Sequence, residues 1–178
     1  MRDRLQTSWL AAEFFTHSHR ISGRLDVRQH KLADQLNSQS TQFLQIEDAY
    51  ISSVEQPTDI VGDHASAFLW KDKILAVLVS NYEDALASQR SYGSYLGSFA
   101  WKVFITLPAF EVQGYLQLSS KLDLRVVFTT GTDRFMLVTN GQMQLAARPD
   151  IAFNGAAILI NKQQIEAFWA EEERTSHG

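Results

Sequence analysis

The stretch Leu69-Trp70-Lys71-Asp72-Lys73-Ile74-Leu75-Ala76-Val77 returns as Ile160-Asn161-Lys162-Gln163-Gln164-Ile165-Glu166-Ala167-Phe168. Each copy has an apolar run, a short polar segment and a second apolar run, which predicts a hairpin at 65–80 and another at 156–169. The recurrence sets the architecture, because a repeat of this length must be recognised before any single motif is read. An offset of 91 also places Ile21, Gly23 and Leu25 on Val112, Gly114 and Leu116. Lys31-Leu32 meets Lys121-Leu122 at 90, and Phe43-Leu44-Gln45-Ile46 meets Phe135-Met136-Leu137-Val138 at 92. Drifts of one or two residues are what loop insertions produce.

The copies read as mainly β. Residues 13–27 and 102–116 alternate or are rich in Val, Phe, Ile and Thr, which predicts a long first strand in each, bent at Gly23 and Gly114. Residues 41–54 and 133–147 give a second strand. The expected fold is two tandem small β-barrel or roll units, 1–80 and 100–178, with a packed linker at 81–99 and short helices at Ser8–Phe15 and in the linker. Two points stay open: whether the repeats form separate barrels or one joint sheet, and whether residues 163–173 are strand or helix.

The segments Thr16-His17-Ser18-His19-Arg20-Ile21-Ser22-Gly23-Arg24-Leu25, Lys31-Leu32-Ala33-Asp34-Gln35-Leu36-Asn37 and Phe43-Leu44-Gln45-Ile46-Glu47-Asp48-Ala49 resemble a family of bacterial β-rich domains without an assigned activity. Lys31 stands where that family has arginine, and Ala33 where it has serine. The second copy keeps the glycine and the strands but has Leu-Asp-Leu-Arg-Val-Val-Phe in place of the asparagine motif. A weaker, fold-level similarity to Sm-like barrels implies nucleic-acid binding as one alternative.

The chain has 178 residues, a net charge of -4 and no cysteine. Disulfides, thiolate metal sites and cysteine nucleophiles are therefore excluded, and the expected compartment is the reducing cytoplasm. No apolar window is long enough for a membrane helix. Basic and acidic residues number 9 and 12 up to Arg90 and 7 and 8 beyond it, so neither half has the positive footprint of a nucleic-acid binder.

Candidate sites are few. Tyr92, Tyr95, Phe99 and Trp101 read as a partner-binding aromatic segment or as filling of the seam between the units. Arg20, Arg24 and Arg28 share a strand parity and, with Lys31, form the nucleic-acid alternative, weakened by Asp26 on the same parity. His17 and His19 share a face that His64 or Asp63 could complete as a metal site, although the second copy has Pro108 and Phe110 there. Asp34 and Asn37 read as local caps, and Glu47 and Asp48 point to opposite faces. No nucleophile elbow, phosphate loop or dinucleotide fingerprint is present.

The expected activity is non-catalytic binding or scaffolding, with a protein partner or further copies of the chain and no cofactor. A small-molecule or metal-dependent enzyme using the seam is a further alternative.

Overall fold

The structure is a computed structural model that describes residues 9–88, 99–118, 125–130 and 133–172. Tight turns convert each predicted long first strand into a hairpin. In the first half, β1 (Trp9–Phe15) and β2 (His19–Asp26) flank the turn at 16–18, where Thr16 Oγ1 accepts from the His19 N–H at 3.2 Å. In the second, β6 (Phe99–Leu107) and β7 (Phe110–Leu118) flank Pro108-Ala109, with Ala109 at φ 68°. Trp9–Phe15 is thus strand and not the expected N-terminal helix, since Ala12, Phe14 and Phe15 bury against both faces of a sheet.

The first half continues through α1 (Leu32–Asn37), β3 (Phe43–Ser53), β4 (Gln56–Trp70) and β5 (Ala76–Val79). The second half continues through β8 (Phe135–Leu145), β9 (Ala152–Asn161) and β10 (Ala167–Glu172). Residues 162–164 form a single 3-10 turn, so the segment left open between strand and helix is mostly strand. In the linker the expected helix shrinks to a 3-10 turn at Tyr82–Ala85, opened by the Asn81 side chain accepting from the Glu83 N–H at 3.2 Å.

These ten strands make one open antiparallel sheet in the order β10-β6-β7-β8-β9-β5-β1-β2-β3-β4. The expected hairpins at 65–80 and 156–169 are not hairpins. Among the described residues β4 pairs only with β3, and β5 crosses the molecule to pair with β1 and β9, while β10 pairs with β6. Buried Lys71 contributes to the first of these departures. Its Nζ donates to the Ser38 carbonyl and to Thr41 Oγ1, both at 3.0 Å, anchoring the 71–75 crossing inward before β5 begins.

The two halves share their order, β5-β1-β2-β3-β4 and β10-β6-β7-β8-β9, and also their registers. Phe14 lies opposite Ile21 as Ile105 lies opposite Val112, and Phe43 opposite Trp70 as Phe135 lies opposite Asn161. The ladders β2·β3 and β7·β8 shift at the same place, between Ser22 and Arg24 and between Gln113 and Tyr115.

Two apolar cores lie on opposite faces of this sheet. In the β5·β9 junction, Ala76, Leu78, Ile158 and Ile160 enter one core, built mainly by β6–β9. Val77, Val79, Ala157 and Leu159 enter the other, built mainly by β1–β4 and α1. A strand buried on both faces reads as an uninterrupted apolar run, which is what Ala76–Val79 is. Neighbouring strands also contribute across the junction. Phe15 packs with Phe110 and Phe153 in the second-half core, at centroid distances of 5.7 and 4.7 Å, and Phe135 is buried in the first.

Candidate functional site

Among the described residues the sheet has two unpaired edges, β4 and β10, and most of the exposed aromatic side chains lie on or beside them. On the β4 side, Phe43 on β3 packs against Phe68 and Trp70 on β4, with centroids 5.4 and 5.9 Å apart. The three are 40%, 51% and 53% exposed, too open for core residues. Ile60 and Val61 are exposed further along the same strand. On the β10 side, Trp169 is 54% exposed and packs at a tilt against Phe104 of β6, with centroids 5.4 Å apart.

Backbone alternation fixes which groups the β4 edge presents. The Lys71 N–H donates to the Gln42 carbonyl at 2.9 Å, the wide-pair pattern around Phe43 and Trp70. Trp70, Phe68 and Ser66 therefore direct their N–H and C=O groups away from β3, toward the open edge. Soluble proteins usually defend such an edge with charge, proline or bulges. Here those devices crowd one end of β4, where Pro57, Asp59 and Asp63 accompany register shifts opposite Ile51 to Ser53. His64-Ala65-Ser66-Ala67-Phe68-Leu69-Trp70 carries no acidic residue, lysine, arginine or proline. On β10, Ala167 to Ala170 is likewise uncharged before Glu171 and Glu172.

Two residues of the aromatic segment read as partner-binding or as seam filling fall within the described residues. Phe99 and Trp101 belong to β6, beside the β10 edge, and β7 and β8 separate them from the β5·β9 junction. Phe99 is exposed, whereas Trp101 packs against the second-half core with its indole N–H buried and unbonded. Tyr92 and Tyr95 lie outside the described residues.

The arginines do not make a free cationic patch. Arg20 bonds Glu13 and donates to the Pro57 carbonyl, Arg24 bonds Asp48 with its guanidinium 5.3 Å from the Trp9 ring centre, and Arg28 bonds Asp26. The Arg28 guanidinium holds the Asp26 carboxyl below its ordinary pKa. Lys31 is exposed at the start of α1. His17 and His19 sit at the β1–β2 turn, with His17 Nδ1 3.4 Å from Ser18 Oγ, and His64 is on β4 opposite Ala49. Among the described residues no three metal-ligating side chains come together.

Asp34 and Asn37 are not local caps. Asp34 accepts from the Ser88 N–H and hydroxyl, and Asn37 Oδ1 accepts from the Phe135 N–H at 2.8 Å, tying α1 to the second half. Between α1 and the start of β3 lies a cleft of about 590 Å³ whose acidic groups, Asp26 and Asp34, are occupied by bonds to Arg28 and Ser88. It holds no nucleophile with an adjacent base.

Sequence reasoning passed over Phe43, Phe68, Trp70 and Trp169. The one available signal was the uncharged run through Trp70, which looks like any inner strand until its spatial neighbours are known. Among the described residues no helix is long and apolar enough to cross a membrane. No family model, curated protein or solved structure matches the chain.

Proposed function

We propose that the protein is a non-catalytic binding or scaffold protein that engages protein strands at its open sheet edges. The observation that carries this reading is the undefended run His64–Trp70, with outward-facing backbone groups and two half-exposed aromatics, Phe68 and Trp70. A partner strand added there gains main-chain hydrogen bonds, and the aromatics supply the apolar anchors. Exposed Phe99 and Trp169 give the β10 edge the same character.

The matching orders and registers support a chain built from two related units, 1–80 and 100–178, joined by 81–99. A cytoplasmic setting fits a chain without cysteine. The nucleic-acid alternative is disfavoured by the carboxylate partners of Arg20, Arg24 and Arg28.

The test is a fluorescence-anisotropy titration of the full chain, kept dilute, with a labelled eight-residue peptide of alternating threonine and valine. Saturable binding is expected that survives 0.5 M salt and weakens at least about tenfold in Phe68→Pro, which removes an outward donor without touching the β3 ladder. No binding, or binding that ignores Phe68→Pro, overturns the reading. Binding only to a single-stranded RNA oligomer, lost as salt rises, would favour the alternative instead.

A further inference from the structure

We infer that the partner of these edges is a second copy of the chain: β4 of one chain pairs antiparallel with β10 of the next, in the register that β9 and β5 use within each chain. The inference rests on the edge-binding reading and names its occupant.

The β5·β9 junction is the template. It joins the fourth strand of the second half to the fifth strand of the first, and the edges left open are the fourth strand of the first half and the fifth of the second. Within the junction, Ala76 to Val79 lie opposite Ile160 to Ala157, and the Asn161 N–H donates to the Leu75 carbonyl at 3.0 Å. Carried over by 91 residues, Ala167 falls opposite Leu69, Phe168 opposite Phe68, Trp169 opposite Ala67 and Ala170 opposite Ser66. The outward backbone groups of Ser66, Phe68 and Trp70 are the ones this register requires.

Side-chain exposure follows the same correspondence. Leu159 and Phe135 of the second half are buried in the core of the first, and Leu78 of the first is buried in the core of the second. Their counterparts at the open edges are Phe68, Phe43 and Trp169, which are 51%, 40% and 54% exposed. Phe43, Phe68 and Trp169 are thus left in water at positions whose equivalents cross the internal junction, whereas the exposed Ile60 and Val61 have no such counterparts. Farther along, Glu171 and Glu172 would run opposite Ala65 and His64, short of Asp63.

The new junction is more polar than its template. Thr106 and Glu166 stand where Phe15 and Leu75 line the internal one, although the less polar Trp70 replaces Asn161. Association should therefore be reversible and concentration-dependent. The two surfaces differ, so the contact is heterologous and propagates into a ring if the rotation closes and a filament if it does not.

The natural absence of cysteine makes the register directly testable. A Ser66→Cys chain and an Ala170→Cys chain are mixed under mild oxidation. The expected product is the mixed disulfide dimer, identified by mass spectrometry of the linked peptides, because directly opposite residues have Cα atoms about 5.5 Å apart. Ala65→Cys, on the other face of the strand, should cross-link to Ala170→Cys at least about tenfold less. Light scattering of the unaltered chain should show mass rising with concentration, and Phe68→Lys should suppress it.

A chain that stays monomeric at every concentration, or Ser66→Cys homodimers in place of the mixed product, would overturn the inference. If the threonine-valine peptide still bound under those outcomes, the edge reading would stand and only the self-pairing would fall. Loss of both would remove both.

Discussion

Asn161 is fully buried, and its amide donates to the carbonyls of Lys71 at 3.3 Å and Ile74 at 2.9 Å, while its Oδ1 accepts from the Gln163 N–H at 3.1 Å. One side chain of the second half thus holds the crossing segment of the first. Lys71 beside it has 1% of its surface exposed. Burial lowers its pKa from the ordinary 10.5, with the nearby Arg134 charge adding to the effect. The recurrence of Lys71 as Lys162 is legible in sequence, yet Lys162 is only half-buried, and its Nζ reaches the Val127 carbonyl at no better than 3.5 Å. What decides the matter is the difference between copies, because Trp70 occupies the Asn161 position at a free edge. Asn161→Ala is expected to cost about 1–3 kcal/mol, since two buried carbonyls lose their donor. Asn161→Asp should cost more at pH 7 than at pH 4. A carboxylate facing two carbonyls in a dry site has its pKa raised, so its contribution is intact below the unfolded value and is lost as pH rises through the folded one. Urea midpoints at the two pH values check both statements.

At the level of single strands, the bulges repeat as faithfully as the ladders. Opposite each glycine the partner strand carries a residue in the left-handed region, Asp48 at φ 49° and Asn140 at φ 47°. Gly23 and Gly114 are legible as bulge positions because glycine inside a β pattern has few other uses. They are not equally tight. A Cβ on Gly114 would stand 2.5 Å from Val138 Cγ1 and 2.9 Å from the Thr139 carbonyl oxygen, whereas on Gly23 the nearest atoms are Ile46 Cδ1 at 3.0 Å and the Glu47 carbonyl oxygen at 3.2 Å. The end of an isoleucine side chain can rotate away, and a backbone carbonyl cannot. Gly114→Ala is therefore expected to cost about 2–3 kcal/mol and Gly23→Ala about 1 kcal/mol or less, in denaturant unfolding. A larger loss at Gly23 would show that the first bulge is the more rigid one. The turns at 16–18 and 108–109 were harder to read. Only Pro108 breaks the pattern in the second copy, and the first turn relies on a threonine hydroxyl, a weak turn signal amid β-forming residues.

At the scale of the molecule, the sequence announced β structure because strand patterning is periodic, and it concealed the strand order because order in space leaves no period in the chain. Each strand looks the same whether its neighbour comes from its own half, from the other half or from nowhere. This is why Ala76–Val79 could be read as part of a hairpin when it is in fact the centre of the sheet. It is also why the edge aromatics carry no distinct sequence signal. The central position of β5 and β9 has a thermodynamic consequence. Each core contains residues from both halves: Leu159 and Phe135 sit in the first-half core, and Phe15, Leu75 and Leu78 in the second-half core. Separating the halves would expose these side chains and break the β5·β9 ladder, so neither half can melt while the other keeps its core. Calorimetry on the dilute, dissociated chain is expected to show one transition with equal calorimetric and van't Hoff enthalpies. Leu159→Ala, which empties a site in the first-half core from a second-half strand, should lower that single transition by the equivalent of about 2–5 kcal/mol without splitting it. Two resolved transitions, in the native chain or in Leu159→Ala, would mean that the halves fold independently and that the junction is a contact between finished bodies.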